Sequence, residues 1–519
     1  MLSHLFRLGR VGFVCAREGV FGLVDPTPLP PQLRLVWRLG RLIERRSTAD
    51  AKQRLSTIVT ALGPTYVKLG QFLATRPDVV GPALSRDLES LQDRMPPFSQ
   101  AEAEKAVAAA FDKKLSDVFV AFGPAVAAAS IAQVHRAEIE APGGRRAVAV
   151  KVLRPGIEGR FKVDLAAFRF VARNAELFSA EARRLRLVEV VDTLARSVAL
   201  EMDLRLEAAA LSEMAENTKD DPDFRVPLVE WDFTARNVLV MEWIDGTPLH
   251  DRASLLGRKL DLAGLGRKVI QSFLRHALRD GFFHADMHPG NLFVDAGGRL
   301  VAVDFGIMGR LGPKERRFLA EILLGFITRD YRRTAEVHFE AGYVPPHHSV
   351  EAFAQAIRAI GEPIHNRTAE DISMAKLLTL LFEVTGLFDM RTRPELLLLQ
   401  KTMVVVEGVA RTLDSQLDIW TTAEPLVREW IARNLGPAGQ LEGAAQGAGE
   451  IGHFLTRVPG LLQRALRIAE QIDLATREGV TLAPETVAAV ARSERRRSRW
   501  GTIALWTIAA LLGWVVFVK

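Results

Sequence analysis

The segment His284-Ala285-Asp286-Met287-His288-Pro289-Gly290-Asn291 is followed by Asp304-Phe305-Gly306. Asp286 and Asn291 are five residues apart, Asn291 and Asp304 thirteen. One acid of such a set can act as a base or orient a nucleophile. An amide and a second acid can hold Mg²⁺ through oxygen ligands against a triphosphate. Upstream stands Ala147-Val148-Ala149-Val150-Lys151. On a strand of period two, Ala149 and Lys151 share one face, while Val148, Val150 and Val152 share the other. A small residue beside a lysine admits a flat base and lets the ammonium reach phosphate oxygens. Taken singly, each piece has an ordinary alternative: a solvated strand lysine, a helix cap at Asp286, a turn at Asn291, a strand end at Asp304. Their order and spacing together point to one nucleotide- and metal-binding site. His284 and His288 suggest a metal of another kind. With no third clustered histidine and a single cysteine, Cys15, zinc is disfavoured there. Histidines that brace the loop carrying Asp286 are the better account.

The elements that must position these residues read as α+β. Residues 1–115 are patterned as helices, with Pro-rich interruptions at 26–31 and 96–97. From about Val118 to Leu153 the pattern is β-like. IAQVHRAEI and AVAVKVL read as antiparallel strands joined at Pro142-Gly143-Gly144. Helical periodicity returns over 157–219, with Leu200, Leu204, Ala208 and Leu211 on one apolar face. VLVMEWI (238–244) reads as a buried strand and 266–283 as a helix. NLFVD and LVAVDFG form a hairpin turning at Gly297-Gly298, and helices continue to about Asn434. Strands do not alternate with helices, which disfavours a dinucleotide-binding domain or a (β/α) barrel. The one G-x-G-x-x-G match, Gly447 to Gly452, lies in a Gly/Ala-rich linker with no strand before it and reads as chance composition.

Composition narrows the field. The 519 residues are 48 % apolar and 25 % charged, which rules out a disordered chain, a collagen and a polytopic transporter. Lys and Arg total 68 against 62 Asp and Glu; the net +6 gives no reason to propose nucleic acid. One cysteine excludes an internal disulfide and fits a reducing compartment. Trp500 to Val518 is a run of nineteen uncharged residues. That length just spans a bilayer core of about 30 Å. Arg492, Arg495, Arg496, Arg497 and Arg499 precede it, which places the body of the protein on the cytoplasmic side. Leu461, Ala465, Ile468 and Ile472 line one face of a nearby helix, accompanied by Arg457, Arg464 and Arg467. The first 24 residues read as an amphipathic helix rather than a cleaved signal peptide.

Further motifs make a resemblance specific. Lys68-Leu69-Gly70-Gln71 forms a K-x-G-Q motif. An Ala-rich stretch runs Ala127, Ala128, Ala129, Ser130, Ile131, Ala132, Gln133, Val134, His135. Glu201-Met202-Asp203 forms an E-x-D motif, with Glu207 four residues beyond Asp203. With the strand lysine, the Asp286 loop and Asp304-Phe305-Gly306, the chain resembles the UbiB family of atypical protein-kinase-like proteins. The motifs span residues 64–306. Many bacterial members end in two hydrophobic spans, where this sequence shows one.

The resemblance implies a two-lobed, atypical kinase-like α+β fold. Its parts would be an N-terminal helical extension (1–115), an N-lobe with a helical insert (116–245) and a helical C-lobe (246–433). A linker (434–452), an amphipathic and basic juxtamembrane segment (453–499) and one transmembrane helix (500–518) would follow. It implies binding of ATP or ADP with Mg²⁺. The cofactor-binding set comprises Ala127 through His135 as quoted, Lys151, Glu207 and Glu242. Lys151 is assigned to the nucleotide phosphates and an ion pair with Glu207. Asn291 and Asp304 are assigned to the metal, and Asp286 with Lys151 to catalysis. Lys68, Gly70, Gln71, Glu201 and Asp203 form a regulatory set, with the Lys68 helix lying where a kinase would hold its peptide. The resemblance also implies a role in ubiquinone biosynthesis at the bacterial inner membrane. Membrane lipids, and ubiquinone precursors or their biosynthetic enzymes, would be the partners.

Two features of the sequence bear on the reaction independently. Alanines over the phosphates carry Cβ atoms that restrict the close approach and positive φ that glycine permits. Only Ile307 to Gly312 separates Gly306 from Pro313, where a helix begins, so a long peptide-holding segment has no room. These features favour ATP hydrolysis or a small or lipid-like acceptor. The alternatives are a true protein or isoprenoid kinase and a nucleotide-binding scaffold without turnover. A quinone-ring hydroxylase lacks any flavin fingerprint or metal cluster.

Overall fold

Alternating small and β-branched residues give the first sheet two unlike faces. The computed structural model describes residues 10–14, 17–18, 51–74, 76–80, 87–88, 95–178, 180–364, 384, 386–390 and 394–436. Ahead of the sheet come helices α1 (Ala51–Leu62), α2 (Pro64–Ala74) and α3 (Gln100–Phe111). Strands β1 (Ala121–Ala128), β2 (Ala132–Ala141) and β3 (Gly144–Leu153) follow. After a two-residue strand β4 (Phe224–Arg225), β5 (Val238–Glu242) completes the sheet in the order β1-β2-β3-β5. All its pairings are antiparallel. Val148, Val150 and Val152 of β3, with Val238 and Val240 of β5, are buried against Val107 of α3. A capping box at Ser99 and Glu102 starts that helix. Ala149 and Lys151 lie on the other face, with Met241 and Leu239 as their register partners. The edge strand β1 contains Gly123 and Pro124 and its register slips there, as a strand edge tolerates.

The helical run expected over 157–219 is not continuous. Helices α4 (Ile157–Phe178), α5 (Leu187–Glu201) and α6 (Leu204–Asn217) take its place. A short helix, Ala180–Leu185, lies between α4 and α5. The break between α5 and α6 falls at Met202-Asp203, because the Asp203 side chain accepts the Arg205 N–H and so opens a new helix. The single apolar face expected there is corrected accordingly. Leu204, Ala208 and Leu211 are buried, whereas Leu200, on the preceding helix, is 61 % exposed.

Strand β6 (Thr247–Pro248) leads into α7 (Leu262–Arg275), which Asp261 caps. The helix expected over 266–283 ends early. It widens into a π-turn at His276–Asp280 and stops at Gly281, φ +65°, where a Cβ would strike the Leu311 carbonyl. Residues Phe282–His284 are strand β7 instead. The hairpin β8 (Leu292–Val294) and β9 (Leu300–Ala302) forms as expected. Strand β4 adds parallel to β9, and β6 antiparallel to β8. Strand β10 (Met308–Arg310) pairs with β7. Pro313 then opens α8 (Pro313–Thr328) at a first-turn position that needs no N–H. Helices α9 (Tyr331–Glu340), α10 (Val350–Gly361), α11 (Pro394–Leu413) and α12 (Ile419–Asn434) complete the described chain.

The chain divides into two units, Met1–Ala432 and Arg433–Lys519. The candidate site lies wholly in the first. The expectations for the juxtamembrane segment 453–499 and the transmembrane helix 500–518 lie outside the described residues, as does most of the linker 434–452 and of the first 24 residues. Among the described residues no helix is long and apolar enough to cross a membrane.

A buried polar knot fixes the end of α6 against α7. Asp221 accepts from His276 Nε2 at 3.1 Å and from Arg279 at 2.6 Å, and Arg275 donates to Asp223 at 2.8 Å. Burial alone would raise the Asp221 carboxyl; His276 and Arg279 reverse that and hold it at about 2. Burial pushes His276 below its ordinary value, so the ring is neutral and donates from Nε2. Asp221→Asn is therefore expected to lower stability by about 2 kcal/mol at pH 7. Urea unfolding of both proteins checks this. Because the folded-state value is depressed, the contribution is complete above the ordinary carboxylate range near 4 and is lost as the pH falls toward about 2. The difference between the proteins should shrink in that window.

Candidate active site

Lys151 is the centre of the site. Its neighbours in register are Val134 on β2 and Leu239 on β5, so it points from the face opposite the valine core. Its Nζ donates to Glu207 Oε1 at 2.7 Å and to Asp304 Oδ1 at 2.9 Å. Helix α6 supplies Glu207 from the face that buries Leu204, Ala208 and Leu211. Burial by itself would release the ammonium proton, but the charges of Asp304 and Glu207 hold Lys151 protonated well above its ordinary range. Lys151 in turn keeps Asp304 ionised far below the usual carboxylate range. Glu207 is pushed up, because burial and the charge of Asp304 outweigh the attraction of Lys151.

The hairpin β8–β9 presents Asp304 at its exit, with φ +66°. Left-handed backbone at a residue with a Cβ costs about 1 kcal/mol, and Asp is among the residues that tolerate it best. The side chain is 47 % exposed, so a ligand in the cleft can reach it. Phe305 is buried edge-on against His284, with ring centres 5.0 Å apart. Burial pushes His284 below its ordinary value. The neutral ring donates from Nε2 to the Val303 carbonyl at 3.2 Å, and its Nδ1 accepts the Asp286 N–H at 3.1 Å. His284 thus braces the loop from beneath. Asp286 is exposed, and its Oδ2 accepts from Asn291 Nδ2 at 3.1 Å. That leaves the Asn291 amide oxygen, like the Asp304 carboxylate, as a hard donor. His288 Nδ1 accepts the Gly290 N–H.

The Ala-rich stretch divides between strand and turn. Ala127 and Ala128 end β1, Ala129, Ser130 and Ile131 form the turn, and Ala132, Gln133, Val134 and His135 begin β2. The grouping of these residues as one cofactor cradle needs correction. Val134 shares the Lys151 face, whereas Gln133 and His135 pair with Val152 and Val150 on the opposite one. There Gln133 exchanges hydrogen bonds with the Phe98 backbone, and His135 bonds to Gly123 O at 2.9 Å and stacks on Phe122. Glu242 likewise shares the face of Val148. Its carboxylate is held by Arg225 at 3.0 Å, turned from the cleft. Arg225 also reaches Asp295, whose own partner is Arg299.

Two positioning residues gave no sequence signal. Arg154, three residues after Lys151, donates to the carbonyls of Pro96, Ala129 and Ser130 at 3.0, 3.2 and 3.3 Å. Its own N–H donates to Ile131 O at 2.8 Å, so it fixes the turn from two sides. Thr402, buried on α11, shares its hydroxyl proton between the Leu398 and Ala285 carbonyls at 2.8 and 3.1 Å. It secures the loop next to Asp286.

The K-x-G-Q helix is α2. It follows Gly63, φ +104°, where the Arg160 guanidinium fills the space a Cβ would take and donates to Leu62 O at 2.9 Å. Buried Thr65 donates to Asp164 at 2.7 Å, which pins the helix to α4. Lys68 pairs with Glu201 at 2.6 Å, both nearly buried, and its charge helps depress Asp304. Lys68 thus meets the first residue of the E-x-D motif. Gly70 is buried and Gln71 half-buried on the same helix. Asp203 is drawn instead to Arg205 at 2.7 Å.

Residues 90–338 match the model of the ABC1 atypical kinase-like domain, and residues 357–418 that of the UbiB helical domain. A probable protein kinase UbiB of Marinobacter nauticus is 37 % identical over 520 residues, covering 98 % of this chain and 94 % of its own. The protein of the same name in Azotobacter vinelandii is 39 % identical over 447 residues, 84 % of this chain and 82 % of its own. A solved structure, the Mycobacterium tuberculosis protein Rv3197 in complex with erythromycin, is similar in fold with a TM-score of 0.51 and 24 % identity. It covers 76 % of this chain and 98 % of that one.

The Lys68–Glu201 pair ties α2 to the helix carrying the start of the E-x-D motif. Glu201→Gln keeps the size and removes the charge. Amide exchange of residues 64–74 is expected to quicken by about tenfold, as hydrogen-exchange mass spectrometry would read. Unchanged exchange would show that packing alone seats the helix.

Proposed function

The chain belongs to the UbiB family of atypical kinase-like proteins, and on that premise we propose that it is a membrane-anchored ATPase supporting ubiquinone biosynthesis. One observation carries the reading. A buried ammonium is shared between Glu207 and Asp304, beside a hydrogen-bonded Asp286 and Asn291. A kinase-type phosphoryl-transfer site uses such a set of groups. Mg²⁺, held by Asp304 and Asn291, would neutralise charge on the phosphate oxygens, and carboxylate and amide oxygens suit it. Lys151 orients the phosphates while Glu207 keeps its ammonium in place. Asp286, exposed and braced by His284, orients the attacking nucleophile. The turn 129–131, set by Arg154, closes over the nucleotide.

The acceptor is the finer question. After Gly306 the chain forms only β10, paired back on β7, before Pro313 opens α8. Helix α2 is tied through Lys68 to Glu201 of the E-x-D motif. The short connection after Gly306 offers no platform for an extended peptide, which supports water or a small lipid-like acceptor over a protein one. An isoprenoid or protein kinase, and a scaffold without turnover, are the competing readings. The uncharged run 500–518 and the basic segment 453–499 would anchor the body to the inner membrane, where ubiquinone precursors dissolve and their biosynthetic enzymes meet them.

Phosphate release from Mg²⁺-ATP by the purified full chain, with and without anionic liposomes, separates these readings. Release stimulated by liposomes is expected. In Asp304→Asn, turnover should fall on the order of 100-fold, with weaker Mg²⁺-ATP binding by calorimetry and a lowered melting temperature, because one of the two charges that answer the Lys151 ammonium is lost. Equal release by wild type and variant would overturn the catalytic assignment. Equal release with and without lipid would remove the membrane coupling alone.

A further inference from the structure

Three potential metal ligands meet far along the chain from the residues of the cleft. His347 and His348 lie in the loop between α9 and α10, and Asp389 in the turn 386–390 ahead of α11. His348 Nε2 is 3.3 Å and His347 Nε2 3.7 Å from Asp389 Oδ2. The candidate ligand atoms all lie within 4.8 Å of one another. Tetrahedral ligands at about 2.0–2.1 Å from a zinc ion are about 3.3 Å apart, so small side-chain adjustments would close the set.

The two segments are held by one core. Val344, just before the histidine loop, and Phe388, just before Asp389, are buried in the same apolar cluster with Tyr331, Phe353 and Ile357. The His348 ring also rests against Phe388, with centres 5.2 Å apart. Asp389 has φ +48°, which turns its carboxylate out of the chain path. A hydrogen bond from His348 to Asp389 would account for that pair alone. It does not account for His347, which is 65 % exposed yet lies near the same carboxylate oxygen with its ring 4.1 Å from that of His348.

We propose that His347, His348 and Asp389 form a site for a divalent transition cation that clips the loop before α10 to the turn before α11. Two imidazoles and one carboxylate suit Zn²⁺ and its neighbours rather than Mg²⁺. Three protein ligands leave the remaining positions to water. The site shares no residue with the nucleotide cleft, so its occupancy and its effect on stability can be read apart from turnover.

The test is calorimetric titration of Zn²⁺ into the untagged full chain, stripped with chelator. Millimolar Mg²⁺ is kept present to occupy the hard-oxygen site around Asp304. One equivalent is expected to bind and to raise the melting temperature. His347→Ala, His348→Ala and Asp389→Asn should each weaken binding by about tenfold or more. Asn keeps the tolerance of the left-handed backbone at 389, so its metal-free melting temperature should match wild type. Absence of a one-equivalent site in the wild type, or equal binding by wild type and Asp389→Asn, would overturn the proposal.

Discussion

A buried ammonium must be answered by carboxylates, and Lys151 is answered by two. Removing such a charge from water costs several kcal/mol unless it is paired, and removing one partner is worse than removing both. The rest of the site follows from this. Strand β3 must keep its register so that Lys151 faces α6 and its valines face α3. Helix α6 must start at Asp203 so that Glu207 comes one turn later on the inner side. The hairpin must leave its strand in the left-handed region so that Asp304 turns toward the ammonium. Two carboxylates around one lysine leave an excess of negative charge, a setting suited to an added cation and anionic phosphates together.

The second consequence is mechanical. Glu207 is tied to Lys151, and the far end of its helix is locked by the Asp221–His276–Arg279 knot. Helix α6 is therefore held at both ends. Its neighbour α5 ends in Glu201, the partner of Lys68. Displacement of α2 would thus remove the Lys68 partner of Glu201 at the end of α5.

Much of this was legible from residue types. The period-two strand at Lys151, the hairpin ahead of Asp304 and the helix starting at Pro313 rest on local rules and are found where spacing put them. The bracing role of His284 followed from the lack of companion ligands. Faces were harder. Gln133 and His135 alternate correctly along β2, but only the register with β3 decides which parity meets the cleft. The face of Glu242 is set in the same way, by its register with Val148. The break at Asp203 hid inside a continuous apolar rhythm, since a cap is a side-chain choice that periodicity does not carry. Arg154, Thr402 and Asp389 act through contacts between distant segments, where no local pattern marks them.

The most direct measurement is an experimental structure with Mg²⁺ and a non-hydrolysable ATP analogue. The expected result is that Lys151 keeps Glu207 but leaves Asp304 for phosphate oxygens, while Asp304 and Asn291 turn to the metal. A structure in which Lys151 stays on Asp304 with the analogue bound elsewhere would contradict the shared ammonium as the nucleotide anchor.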